Sequence, residues 1–346
     1  MKSFISKNYR HINTAGDKAK TDIEAIMTEV GYTNIGMAQS RSTNSLVAYF
    51  KTLASILRGV SRIKKGDIVV LQYPLKKYYD FVVKKATDRG AKVITLIHDL
   101  GSFRRKKLTE ADEVERLNRS AVVIVHTEAM RRWLSERGVR VPMIVLGLFD
   151  YLSKFPARKD YSRPDGKPKL MFAGNCSRRA NGWIYALAET APNVEIILYG
   201  NGVEDQAPDN ITAMGQVDSD TLIGEAQGDY GVVWYGESLD EGAGPLGEYL
   251  RYNAPHKTSM YLRAGIPVVI WDKAALADIV KRLDVGICIP SLRNIEEVLS
   301  AITPERYSQM RANALAAAEK LSSGGFTSDA LAKSVDIING SATATD

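Results

Sequence analysis

The sequence predicts an α/β protein made of two successive open domains with parallel sheets, and three observations point there. Short apolar runs alternate with amphipathic stretches through both halves. The length of 346 residues suits two cores, at roughly 100–200 residues per domain. A basic segment broken by Pro156, Pro164 and Pro168 interrupts the alternation near the middle, after which it starts again.

In the first half, Lys2–Ser6, Asn34–Met37, Asp67–Gln72, Lys92–Ile97, Ala121–Val125 and Met143–Leu146 read as strands. Lys18–Val30, Ser45–Ile63, Tyr78–Arg89 and Glu128–Arg137 read as the helices covering them. This domain is expected over residues 1–152, followed by a linker over 153–168. The second domain, 169–325, has strands at Lys169–Phe172, Val194–Tyr199, Tyr230–Trp234, Ile266–Trp271 and Gly286–Ile289, with helices such as Gly182–Thr190 and Thr221–Ala226. A terminal helix and tail, 326–346, is expected to pack back on the first domain. Ligands of such sheets sit beyond the carboxyl ends of the strands, here at an expected interdomain cleft, so residues just after each strand carry weight.

Composition narrows the class. Hydrophobic content of 45% and charged content of 25% suit a globular protein, with no signal peptide and no apolar run long enough to span a bilayer. Two cysteines, Cys176 and Cys288, are too few for a disulfide framework and belong to no zinc-ligand spacing, which fits a reducing cytoplasm and no metal site. A net charge of +6 and a pI near 9.0 favour an anionic partner. Basic residues are spread widely and match no nucleic-acid-binding signature, which leaves a nucleotide or, at most, peripheral contact with the inner face of a membrane.

Several strand ends carry candidate chemistry. "NYRHINTAGDKAK" brings Thr14 and Gly16 to a turn before a helix whose N–H groups can hold phosphate or sugar. "LIHDLGSFRRKK" sets His98 and Asp99 at a strand end, able to accept or orient a proton or simply to pack there, and then a basic run from Arg104 to Lys107. "LMFAGNCSRRANGW" places Gly174, Asn175, Arg178 and Arg179 between strand and helix, as a phosphate-binding turn does. "IILYGNG" offers Tyr199 and Gly200, where glycine lets a backbone approach a base or ribose.

The glycine-rich, acidic stretch "GESLDEGAGPLGEYLRYNAPHK" leads into a helix with Pro255 at its first position and Lys257 in its first turn. A helix N-terminus favours anions, so a lysine there implies a missing negative charge. Asp218-x-Asp220 has the spacing of a metal motif, but Asp before an apolar-periodic stretch more often caps a helix.

With these residues in view, the chain resembles the bacterial glucosyltransferase 3-like and beta-1,6-galactofuranosyltransferase-like enzymes of the GT-B fold, two Rossmann-like domains facing a cleft. The matching stretches are "LIHDLGSFR", "FAGN", "LYGNG" and "YNAPHKTSMYLRAGIPVVIWDKAALADIV". The resemblance implies hexosyl transfer from a UDP-sugar, as glucose or galactofuranose, to a hydroxyl of a glycan, glycoprotein or lipid-linked acceptor, with no cofactor or metal. It assigns Lys257 to the donor diphosphate and Asn253, His256 and Thr258 to the nucleotide site. Asn13–Gly16 and Asn175–Arg179 also face the nucleotide, and the loop after His98 and Asp99, with Ser102, Phe103, Arg104, Arg105 and Lys106, is associated with the acceptor. "GNCSRRA" departs from the family's single basic residue, which leaves Arg178 and Arg179 both open, and the proton acceptor stays open among His98, Asp99 and His11. A homo-oligomer is expected. A non-hydrolysing UDP-sugar epimerase and a non-catalytic nucleotide-sugar-binding subunit are the alternatives.

Overall fold

The computed structural model describes residues 1–10, 15–104, 108–159, 161 and 166–341. His11, Asn13, Thr14, Arg105, Lys106 and Lys107 lie outside them, and for Arg104 only the backbone is described. The chain divides into two units, residues 1–150 with 323–346, and residues 151–322.

Unit 1 holds six strands, β1 (Lys2–Phe4), β2 (Thr33–Asn34), β3 (Ile68–Tyr73), β4 (Lys92–Ile97), β5 (Val122–Val125) and β6 (Met143–Val145). They pair in parallel in the order β2-β1-β3-β4-β5-β6. Its helices before the crossover to unit 2 are α1 (Ala15–Glu29), α2 (Ser45–Arg62), α3 (Tyr79–Asp88), α4 (Gly101–Arg104), α5 (Glu110–Leu117) and α6 (Glu128–Glu136). Unit 2 holds β7 (Lys169–Asn175), β8 (Glu195–Asn201), β9 (Ile211–Gly215), β10 (Tyr230–Val233), β11 (Val268–Trp271) and β12 (Gly286–Ile289). Their order, β12-β11-β10-β7-β8-β9, is again all parallel. The helices of unit 2 are α7 (Arg178–Asn181), α8 (Trp183–Thr190), α9 (Thr221–Glu225), α10 (Gly244–Tyr249), α11 (His256–Arg263), α12 (Ala277–Leu283), α13 (Ile295–Ser300) and α14 (Pro304–Ser322), and α15 (Gly325–Ile338) returns to unit 1.

The central strands are apolar along their whole length because helices cover both faces: every residue of β3, β5, β10 and β11 is buried. The order in which strands are added reverses between β1 and β3 in unit 1 and between β7 and β10 in unit 2. At such a reversal the loops diverge to opposite faces and leave a crevice at the carboxyl ends, where ligands of doubly wound sheets bind.

Four expectations change in detail. The stretch read as a linker belongs to unit 2, where Tyr161 donates its hydroxyl to Asp229 (2.8 Å) and Arg263 donates to the Phe155 carbonyl (2.8 Å). The other boundary falls at 322/323, because α15 starts against Asp150, whose carboxylate accepts the Phe326 and Thr327 N–H groups (3.1 and 2.7 Å). Strand β2 ends early, since the Asn34 side chain accepts the Ser6 and Gly36 N–H groups (3.2 and 3.0 Å) in place of a longer ladder. Pro255 is the extended N-cap of α11, with ψ 129°, not its first helical residue. Among the described residues no helix is long and apolar enough to cross a membrane.

Candidate functional site

In unit 2 the candidates gather at the carboxyl ends of β7, β8 and β10. Paired β7 and β8 set Gly174 opposite Gly200, so close that a Cβ on Gly200 would lie 1.8 Å from the Gly174 carbonyl oxygen. Only glycine fits there. Gly174 in turn lies against Lys257: a Cβ on Gly174 would approach the lysine Nζ to 2.9 Å. The ammonium sits 3.8 Å from the ring centre of Phe172, in β7, and 4.8 Å from that of Tyr235, just past β10. The helix-start lysine therefore reaches the crevice at the strand-order reversal.

Lys257 is a cation in an apolar setting. Among the described residues it has no ion-pair partner, and burial pushes its pKa down from 10.5 to about 7. The N-terminus of α11 has no side-chain cap and no acid in its first turn. Two neighbours are also unsatisfied: Thr258, fully buried, has no partner for Oγ1, and Asn253 has none for its buried Oδ1. A cation, uncapped amides and orphaned polar atoms together form a place for a polar, anionic group.

The arginine turn resolves into two different residues. Arg178 pairs with Glu204 (3.1 Å) and lies over the ring of Tyr185 (4.5 Å). Arg179 is exposed and has no partner among the described residues. Asn175 turns its Oδ1 to the Ser177 N–H (3.0 Å), fixing the loop after β7. Tyr199 is a packing residue, since it is buried and its hydroxyl accepts the Gln227 N–H (2.9 Å). The ring of His256 lies against that of Tyr151, 4.9 Å between centres.

The thiol of buried Cys176 is pushed up to about 11 and that of half-buried Cys288 to about 11 as well, so neither is a nucleophile near neutral pH. Asp218 folds onto its own turn, accepting the Asp220 N–H (2.8 Å) and the Thr221 hydroxyl, while Asp220, at the N-cap of α9, makes no side-chain cap. Among the described residues no cluster of three or more His, Cys, Asp or Glu is placed to hold a metal ion. Two of the four acids of the glycine-rich stretch are held in ion pairs: Asp240 with Arg293 (2.5 Å) and Glu248 with Arg251 (3.2 Å).

In unit 1, His98 stands just past β4 with Nε2 2.7 Å from Gln72 Oε1, so in the neutral ring Nε2 carries the proton. Its ring stacks on Phe149 (5.4 Å), whose edge also meets His126 (4.9 Å). His126 is fully buried, and desolvation lowers its pKa to about 4 although Asp99 opposes the shift. The following loop is held by a residue the sequence reading missed. Glu113, buried in α5, accepts the Gly101 N–H (2.6 Å), the Ser102 N–H (3.0 Å), the Ser102 hydroxyl and the Tyr73 hydroxyl (2.7 Å). Phe103 packs edge-on to Trp133 (5.9 Å). Gly16 lies inside α1, with nothing within 4 Å of where a Cβ would be.

Known proteins match both units. The N-terminal domain of the glucosyltransferase 3-like family matches residues 2–148 and its C-terminal domain residues 170–334. The beta-1,6-galactofuranosyltransferase WbbI of Escherichia coli K12 is 28% identical over 93% of this chain and 94% of its own length. Glucosyltransferase 3 of Streptococcus gordonii is 26% identical over 79% and 83%. Among solved structures, Anabaena HepE in complex with UDP superposes with a TM-score of 0.64 at 14% identity, covering 97% of this chain and all of that one. Sucrose-phosphate synthase of Thermosynechococcus elongatus gives 0.62 at 15%, covering 99% and 100%, so the fold is shared where sequence has diverged. With both family domains matched, in order and across most of its length, the chain belongs to the glucosyltransferase 3-like family of glycosyltransferases.

Proposed function

We propose that this glycosyltransferase moves a hexosyl unit, glucose or galactofuranose, from a UDP-sugar to a hydroxyl of a glycan or glycoprotein acceptor, without a metal ion. The observation that carries the reading is Lys257, an apolar-caged ammonium at an uncapped helix start beside Gly174. The names of the two relatives support the sugars, and the UDP held by the Anabaena structure supports the nucleotide. Lys257, Arg179 and the first-turn amides of α11 meet the charge that grows on the departing diphosphate. Thr258 and Asn253 offer the unused polar atoms on the same helix start.

In unit 1, His98 is the favoured proton acceptor, because it stands at the carboxyl end of β4 with its Nε2 held 2.7 Å from Gln72 Oε1. The test is thermal unfolding with a panel of UDP-sugars. A ligand at about 100 times its dissociation constant adds roughly 2.7 kcal/mol. Protection by UDP and one UDP-hexose, transfer that survives EDTA, and protection lost in Lys257→Ala are expected. UDP binding unchanged in that variant, or activity abolished by EDTA and restored by manganese, overturns the assignment it addresses.

A further inference from the structure

Helix α2 shows solvent an unusual face. Leu46 is 70% exposed, Phe50 62% and Leu57 51%, and at spacings of four and seven they fall on one side of the helix. Val47 and Tyr49 widen that stripe, and exposed Phe81 of α3 and Met37 lie on neighbouring segments. An apolar cluster of this size on one helix is costly in water and marks a contact surface.

The charges around the stripe choose the partner. From Ser45 to Arg62 the helix has no acidic residue, only Lys51, Arg58 and Arg62. At its start lies a cavity of about 350 Å³, where the strand order of unit 1 reverses, lined by Lys7, Arg10, Tyr49, Lys77 and Tyr78 among others and by no carboxylate. Lys77 stacks on the ring of Tyr49 (4.5 Å), and Arg10 is braced by the Thr43 carbonyl (2.6 Å) and the Ser45 hydroxyl (3.0 Å). Neither side chain pairs with a carboxylate among the described residues.

We propose that α2 and this cavity form a docking surface for a lipid bilayer carrying anionic phospholipids. The stripe enters the boundary between headgroups and acyl chains, while Arg10, Lys77 and Lys51 meet headgroup phosphates. A second copy of the chain fits less well. Symmetric pairing of this face would set Lys51, Arg58 and Arg62 against their own counterparts. The surface lies wholly in unit 1, while Lys257, on which the donor assignment rests, lies in unit 2, so this inference stands apart from that assignment.

The test is co-sedimentation of the full chain with vesicles of phosphatidylcholine alone and of phosphatidylcholine mixed with phosphatidylglycerol, at low and high salt. Binding to the mixed vesicles at least about tenfold tighter than to the neutral ones, and weakened by salt, is expected. The double variant Leu46→Ser, Phe50→Ser and the double variant Lys51→Glu, Lys77→Glu should each lower that binding about tenfold or more. Because these four side chains are exposed, melting of the variants should match the parent, and UDP protection reports on unit 2 independently. No binding to mixed vesicles, equal binding to both compositions, or variants that bind like the parent overturn the proposal. So does a dimer in sedimentation equilibrium that the Leu46, Phe50 variant dissolves while vesicles capture nothing.

Discussion

The ammonium of Lys257 rests against the faces of Phe172 and Tyr235, which attract a cation, yet desolvation outweighs them and brings the pKa to about 7. The unfolded chain holds that proton up to about 10.5. Between the two values the unfolded state binds more protons, so the contribution of this lysine to stability rises with pH across that window. On the proposed reading a diphosphate restores the charge, and UDP binding above about pH 7 should therefore take up a proton. Calorimetry in two buffers of different ionisation enthalpy should find uptake approaching one proton near about pH 8.5, absent in Lys257→Met. Equal heats in both buffers for the parent would sink this account. Lys257→Met, which removes a poorly solvated charge, should leave the unliganded protein as stable or more so at neutral pH. The same scale separates the paired arginines. Arg178 is spent on Glu204 and Tyr185, so Arg179→Ala should weaken UDP binding about tenfold and Arg178→Ala less than about threefold. The reverse ranking in titrations would exchange their roles. Sequence pattern reached Lys257 through helix polarity, but not its cage, because Phe172 in β7 and Tyr235 just past β10 are some sixty residues apart and are brought together only by the pairing of those strands.

Elements were legible where burial is two-sided and obscure where it is not. The runs that form β3, β5, β10 and β11 are apolar throughout and announce themselves. Strand β9, Ile211–Gly215, went unread because it is the edge of its sheet and four of its five residues are exposed, which erases the pattern. The glycine-rich stretch before α11 hid a helix, α10, behind glycines that the loop needs for close self-contact: a Cβ on Gly247 would meet the Gly242 carbonyl carbon at 2.2 Å. Glu113 was invisible for another reason. An acid in the first turn of α5 reads as a complement to the helix dipole, whereas here it reaches back to bind the amides of α4. Its role predicts that Glu113→Gln, similar in size but uncharged, costs about 1.5–3 kcal/mol in urea unfolding. The acceptor Michaelis constant should rise several-fold while that of the donor stays within about twofold. A donor effect of equal size would remove α4 from the acceptor side.

At the scale of the whole molecule the chain is discontinuous in unit 1, since α15 completes a unit begun more than three hundred residues earlier. Gly324, at a positive φ of 71°, turns the chain into α15 beside Ile26 of α1, where a Cβ would come within 2.6 Å. The buried carboxylate of Asp150 then accepts the first amides of the helix, at the end whose dipole favours an anion. Buried Leu331, Ala330, Thr327 and Ser334 line the packed face of α15. Ending the chain after Ser322 strips all of this from unit 1, while Lys257, Thr258, Asn253, Arg178 and Arg179 all lie between 151 and 322. The loss of one buried leucine is worth about 1.5–3 kcal/mol, and the stranded Asp150 adds about 1–3 more for its lost amide bonds. For a unit of this size each kcal/mol moves the midpoint by about 2–4 °C, so unit 1 should melt lower by on the order of 10 °C. Calorimetry should then resolve two transitions, with UDP raising only the upper one. A truncated chain that melts in one transition at the parental temperature would show that α15 adds nothing to unit 1. One in which UDP protects nothing would show that unit 2 needs a complete unit 1 to hold its nucleotide.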